Sequence, residues 1–249
     1  RGQIPRPKLT VSNALGTTAG SGSQTAAVVF GGADDVAKTE EYNGVGWAAS
    51  GDLNTGRYGA GEATAAPQTA ALIFGGQTPP GDTRRSEVEE YDGSTWTEVT
   101  DMPADISQLA GAGTQTAAVS ISGGPSIAES YEYDGTNWAA AGNINTSRER
   151  AAGFGTQTAA VAVGGGGTAV ANVEEYDGSS WAAATAYPTA VKMAAAAGTL
   201  TAGLVFSGDV PPVTNLTRSY DGTNWTNQPN MGTARQAGAG AGTSIAALM

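Results

Sequence analysis

Two stretches decide the fold: Thr69-Ala-Ala-Leu-Ile-Phe-Gly-Gly76 and, further along, Tyr91-Asp-Gly-Ser-Thr-Trp96. Read as a strand, the first is apolar on both faces, which requires sheets packed on both sides of it. The second sets Asp-Gly between a Tyr and a Trp, and Asp-Gly supplies the φ > 0 positions of a tight hairpin. Both stretches recur. The apolar run returns at Thr25-Ala-Ala-Val-Val-Phe-Gly-Gly32 and at 116–124, 158–165 and 201–208, and starts again at Ile245-Ala-Ala-Leu-Met249. The hairpin returns from Tyr42 to Trp47, Tyr133 to Trp138, Tyr176 to Trp181 and Tyr220 to Trp225, with successive Trp residues 49, 42, 43 and 44 apart. A Gly/Ala tract such as Ala110-Gly-Ala-Gly-Thr114 precedes each apolar run.

Each unit reads as four strands: the Gly/Ala tract (a), the apolar run (b), a run of the type Val88-Glu-Glu-Tyr91 (c) and the strand opened by Trp (d). Four strands at this period are the arithmetic of a β-propeller blade. The composition has a cause in that geometry. Small side chains fit where blades converge on the hub, and Trp and Tyr fit the wider periphery. The expected fold is therefore all-β, a propeller of six blades, with five as the alternative. The blades cover about 11–55, 56–104, 105–146, 147–189, 190–232 and, partially, 233–249. Residues 1–10 are expected to be a linker or closing strand, with a strand near 5–11 closing the ring, because an open ring exposes unpaired strand edges. The chain begins without Met and ends inside a repeat, and reads as a piece of something longer.

The Gly-Gly after strand b, the Tyr-Asp-Gly before Trp and the Trp opening strand d resemble the kelch repeat. The wording Thr-Gln-Thr-Ala-Ala and Tyr-Asp-Gly-Thr-Asn-Trp is most similar to kelch-like repeat proteins of bacteriophages, notably marine ones. The resemblance runs from about Val11 onward, with a departure at Ser207-Gly208 where Gly-Gly is expected. It implies a four-stranded kelch-like blade and a place on a virion, outside the cell.

Charge and missing residue types exclude several classes. With 12 basic and 23 acidic residues the net charge is −11, which disfavours nucleic acid, because phosphates are held by basic surfaces. No run of 18 apolar residues exists, so no membrane insertion is expected. The chain has no His and no Cys, which removes the usual nucleophilic dyads and the imidazole ligands of a copper site. No Asp-x-Asp-x-Asp-Gly loop is present to hold calcium. No cofactor, no metal and no catalytic residue is therefore expected. The pairs Glu40-Glu41, Glu89-Glu90 and Glu174-Glu175 sit on strands, where neighbours point to opposite faces, so a pair cannot converge on one bond. They read as acidic protection of strand edges.

One face is set apart by its variation. The a–b and c–d turns repeat, whereas the b–c loops (33–39, 77–86, 125–128, 166–172 and 209–216) and the d–a loops differ. Variable loops on one side of a rigid frame are where recognition surfaces are built. The basic residues Lys38, Arg57, Arg84, Arg85, Arg148, Arg150, Lys192 and Arg235 are expected there, with the acids Asp34, Asp35, Asp52, Glu62, Asp82, Asp101, Asp105, Glu149 and Asp209. The expected ligand-binding set is Arg57, Tyr58, Asp82, Arg84, Arg85, Arg148, Arg150, Tyr187, Lys192, Asp209 and Arg235. A mixed polar face suits a host surface glycan or a protein. The expected function is a non-enzymatic receptor-binding module of a phage tail or fibre, in contact with other virion proteins. The alternatives are a structural or decoration protein docked through Arg1 to Lys8 and, more distantly, a glycan-cleaving enzyme.

Overall fold

The computed structural model describes residues 19–33, 37–81 and 83–248, and every α-helical or strand element within them is a strand. Blade 1 contains β1 (Ala19–Ser23), β2 (Ala26–Phe30), β3 (Thr39–Tyr42) and β4 (Trp47–Ala49). Blade 2 contains β5 (Gly61–Glu62), β6 (Leu72–Phe74), β9 (Val88–Tyr91) and β10 (Trp96–Glu98), and the hairpin β7 (Gln77–Thr78)–β8 (Thr83–Arg84) is inserted between its second and third strands. Blade 3 contains β11 (Ala110–Thr114), β12 (Ala117–Gly123), β13 (Ile127–Tyr133) and β14 (Trp138–Ala140). Blade 4 contains β15 (Ala152–Thr156), β16 (Ala159–Val163), β17 (Val173–Tyr176) and β18 (Trp181–Ala183). Blade 5 contains β19 (Ala195–Thr199), β20 (Ala202–Phe206), β21 (Thr217–Tyr220) and β22 (Trp225–Gln228). A last pair, β23 (Ala241–Thr243) and β24 (Ala246–Leu248), forms a two-stranded sheet.

The molecule is a β-propeller with five four-stranded antiparallel blades. The two-stranded sheet occupies a sixth position, where β23 packs against β19 on one side and β1 on the other. The innermost strands thus follow one another around the hub as β1, β5, β11, β15, β19 and β23. The strand expected near 5–11 and the Arg1 to Lys8 segment lie outside the described residues.

The hub is lined as its crowding demands. The inner strands are Ala- and Gly-rich, and a Cβ on Gly153 would come within 2.5 Å of the Gly111 carbonyl of the neighbouring blade. Phe154 breaks the pattern of small inner-strand residues, and Gly203 of the next blade makes room for its ring: a Cβ there would lie 2.2 Å from it. Strand b is buried on both faces, as in Leu72, Ile73 and Phe74, each 0% exposed.

Repeated side chains tie each blade to the one before it. Trp96 meets Phe30 edge to face at 4.8 Å and donates its indole N–H to Thr39 Oγ1 at 2.9 Å; Trp138 meets Phe74 the same way at 5.3 Å. The Gln of the a–b turn donates to two backbone carbonyls of the preceding blade. Gln68 reaches Ala27 and Tyr42, Gln115 reaches Ala71 and Tyr91, and Gln157 reaches Ala118 and Tyr133. The strand-c Tyr hydroxyl donates to the Glu that stands just before the strand-c Tyr of the preceding blade: Tyr91 to Glu41, Tyr133 to Glu90, Tyr176 to Glu132 and Tyr220 to Glu175, at 2.5–2.9 Å.

These contacts correct the reading of the Glu-Glu pairs as edge protection. Strand c is an interior strand of its sheet. The second Glu joins blades, and the first is buried: Glu40, Glu89 and Glu174 are at most 2% exposed. The c–d turns hold as expected, with φ near +90° at Gly93, Gly135, Gly178 and Gly222. Only the Gly carries positive φ. The Asp accepts the next backbone N–H groups instead, which with the Ser94 hydroxyl hold the Asp92 carboxyl down at about 2.

Candidate functional site

The d–a and b–c loops share a face, where isolated bridges join them: Tyr58 to Gln77, Ser107 to Gly124, Val170 to Val191 and Lys192 to Asp209. Each d–a loop passes the end of strand b of the preceding blade. There the carbonyls of Arg57, Ile106, Val191 and Arg235 accept the N–H of Gly32, Gly76, Gly165 and Gly208. A Cβ on Gly31 would stand 2.6 Å from the Arg57 carbonyl, so this pair of positions favours Gly. Blades 3 and 5 place Ser122 and Ser207 there with φ of 52° and 62°. The register of β12 therefore aligns Ser122-Gly123, not Gly123-Gly124, with the Gly-Gly of other units. Ser122 uses its hydroxyl to reach the carbonyls of Ile127 and Arg148.

Two residues beyond that contact the chain enters the left-handed region in five loops: Gly59, Gln108, Arg150, Met193 and Ala237, with φ of 52–60°. Side chains seldom adopt this conformation, and its cost is sustained only where surrounding structure fixes it. Here the fixing is a chain of backbone hydrogen bonds around the hub. Gln108 N–H donates to Gly59, Arg150 to Gln108, Met193 to Arg150 and Ala237 to Met193, at 2.5–3.0 Å.

The bent loops leave a cavity of about 230 Å³ over the hub, lined by Tyr58, Gly59, Ala60, Glu62, Gln108, Leu109, Arg150, Ala151, Met193, Ala194, Ala237 and Gly238. Arg150 is held across it by its Nε, which donates to Gln108 Oε1 at 2.8 Å, and Glu149 lies 3.8 Å from its Nη1. Below, a narrower space of about 50 Å³ continues down the channel between Ala, Gly and Leu residues, with Glu62 on its wall. Glu62 retains some accessible surface, on the wall shared by the channel and the cavity. Enclosure there penalises its anion and raises its pKa from 4.5 to about 8.

Among the expected site residues that are described, the structure gathers only Tyr58 and Arg150 in the cavity. Arg57 and Arg148 are corrected outright. They are 0% and 2% exposed, buried in the frame and paired with Glu89 and Glu174 at 2.6 Å. Arg57 also donates to the Thr55 carbonyl, and Asn54 donates from backbone and side chain to the same carboxylate; Asn145 repeats this at Glu174. The Thr55 and Thr146 N–H groups add a fourth donor to each carboxylate, and burial keeps a ligand from reaching either pair. Tyr187 is corrected too. It is 3% exposed, packed edge to face on Trp225, with Arg218 over its ring at 5.0 Å.

The remaining described residues stay near the surface and off the cavity walls. Arg84 is exposed on β8, Arg85 donates to Thr78 and reaches Glu87 at 3.4 Å, and Arg235 is exposed. Lys192 donates to the Gly167 carbonyl at 2.8 Å and lies 3.8 Å from Asp209. Asp82, Asp34 and Asp35 fall outside the described residues. Sequence reading missed Gln108 and Met193, and placed Glu62 on a loop when it lies on inner strand β5. Glu62 had a visible signal, because it interrupts a Gly/Ala tract. Gln108 and Met193 had none, since positive φ at a non-Gly residue leaves no mark in composition. No group of three or more acidic residues able to hold a metal ion occurs among the described residues.

No family model matches the chain, and no curated protein matches it. Among solved structures 272 chains match, so the architecture is widely shared and does not discriminate between functions. One of them is the structure of YjhT, which superposes with a TM-score of 0.74 over 94% of this chain and 89% of its own, at 12% identity. At that identity the likeness concerns the fold, and the chain is similar to YjhT as one β-propeller is to another.

Proposed function

We propose that the chain is a non-enzymatic recognition module of a bacteriophage virion, a kelch-like propeller in a tail or fibre that holds a host surface glycan over its hub. The observation that carries this reading is the hub cavity. Its rim position is Gly59, Gln108, Arg150, Met193 or Ala237, different in each loop, while the Gln, Tyr and Trp contacts between blades repeat. The backbone there is fixed and the side chains vary, which is the arrangement of a rigid frame adapted for binding. A volume of about 230 Å³ lies below the ~300–1,000 Å³ of sites for drug-sized ligands, and suits one sugar ring with its substituents. Tyr58, Gln108 and Arg150 supply an aromatic face, an amide and a fixed guanidinium, the groups that meet sugar faces and hydroxyls.

The test is a glycan array with the intact chain, followed by adsorption to cells that display the hit. Arg150→Ala is expected to abolish array binding while thermal stability changes little. Array and cell binding unaltered by Arg150→Ala and Tyr58→Ala together would refute the hub as the site.

A further inference from the structure

On one position of the inner strands the blades disagree. Glu62 aligns by strand pairing with Gly20, Gly111, Gly153 and Ala196: each lies opposite the strand-b residue two before the Gly-Gly or Ser-Gly, as Glu62 lies opposite Ile73, two before Gly75. Four blades keep this position small because neighbouring inner strands nearly touch. A Cβ on Gly111 would meet the Glu62 carbonyl at 2.3 Å. Blade 2 instead puts a carboxyl into the channel, directly beneath the cavity. Among the described residues nothing hydrogen-bonds that carboxyl, and no other side chain of the channel wall can ionise. A burial cost with no internal partner points to a group kept for something that enters from outside.

Resting on the glycan reading above, we propose that Glu62 is the floor of the hub site and selects an uncharged, hydroxyl-rich ligand, by donating a hydrogen bond from its carboxylic acid to a sugar hydroxyl that descends from the cavity. A carboxylic acid both donates and accepts, which matches a hydroxyl on both counts. A cationic ligand finds no anionic partner in a protonated Glu62 and meets the Arg150–Glu149 pair as a balanced charge. An anionic one gains little from Arg150, whose charge is balanced by Glu149 at 3.8 Å and whose Nε is taken by Gln108. Among the described residues the titratable groups that share the cavity with Glu62 are Arg150 and Tyr58; the walls contributed by β11, β15, β19 and the segment before β23 are Ala, Gly and Leu. Enclosure keeps the carboxyl protonated at neutral pH, with its pKa at about 8. Binding is then present below pH 8 and lost as pH rises through it.

The experiment is an array of neutral and acidic glycans, probed at pH 6.5 and pH 9 with the intact chain, Glu62→Gln and Glu62→Ala. Both variants are expected to fold, since other blades carry Ala or Gly at this position. Neutral hits are expected to weaken about tenfold at pH 9 for the unaltered chain, following the protonated fraction. They should hold at both pH values in Glu62→Gln, whose amide still donates, and fall at both in Glu62→Ala. Glu62→Gln also controls for titration of Tyr58. Neutral hits indifferent to Glu62 overturn this inference and leave the glycan reading standing. Hits confined to acidic glycans overturn the selectivity alone. A blank array with folded protein removes the glycan reading and this inference with it.

Discussion

Blades 2 and 4 solve a packing problem one way, and blades 3 and 5 another. Beneath the d–a loops that enter blades 2 to 5, one place is filled by a loop residue and the strand-c residue two before the Tyr. In blades 2 and 4 these are Arg57 with Glu89 and Arg148 with Glu174, each led in by an Asn, Asn54 or Asn145. In blade 3 they are Ile106 and Tyr131, both in one apolar cluster, led in by Pro103. In blade 5 they are Val191 and Arg218, the latter turned onto Tyr187 and Asn227, led in by Pro188. One backbone path thus carries an ion pair, an apolar pair or a cation on an aromatic ring. The frame needs volume and satisfied polar groups at this place, not a particular chemistry.

The sharpest way to break this comparison is to remove one charge. Glu89→Ala leaves the Arg57 guanidinium buried and unpaired, which costs about 3–5 kcal/mol. Denaturant unfolding should show it as a lower midpoint. Transplanting the blade 3 solution (Asn54→Pro, Arg57→Ile and Glu89→Tyr together) should recover most of that loss, because an apolar pair replaces a buried ion pair at little net cost. The Arg57 Nε and Nη2 already lack partners, so the native pair is not an optimum. A triple variant as unstable as Glu89→Ala would mean that the two kinds of blade are not interchangeable.

Glu62 contrasts in the same way with the glycines of neighbouring hub positions. Its pKa is raised on folding, so the folded state holds a proton that the unfolded chain releases above about pH 4.5. Its contribution is full below that value and is lost as pH rises to about 8. Glu62→Gln should match the unaltered chain at pH 4 and exceed it at pH 9, by on the order of 2 kcal/mol once channel water is allowed for. Melting curves at the two pH values check this. Equal curves at pH 9 would show that the channel hydrates the carboxylate freely.

How much of this was legible follows from which signals repeat. The Asp-Gly turns, the two-faced strand b and the Trp spacing are periodic, and they carried the blade and the side on which the loops gather. Arg57 read as a loop cation because its partner is 32 residues away, and nothing local distinguishes a buried Arg from a solvated one. The signal lay between units: Asn-Thr-x-Arg occurs ahead of Glu-Glu-Tyr in blades 2 and 4, and neither occurs in blades 3 and 5. The cavity was hidden because it depends on backbone bends at Gln108, Arg150 and Met193, whose side chains do not announce them.

The smallest effects test the joints between blades. Gln115 holds two carbonyls of blade 2, whereas blade 5 carries Leu200 at the corresponding turn and packs it against an apolar cluster instead. Gln115→Ala should cost about 1–2 kcal/mol, because two carbonyls lose their donor. Tyr133→Phe removes one hydroxyl bond to Glu90 and should cost about 1 kcal/mol. That joint is insensitive to pH across the ordinary range: burial, and then the neighbouring Glu132, raise the equivalent Tyr176 phenol to about 12, so the donor keeps its proton. The cost of Tyr133→Phe should accordingly be the same at pH 6 and pH 9, in contrast to the effect of Glu62→Gln. A loss that grew at pH 9 would place the Tyr–Glu joints in open water and not between packed blades.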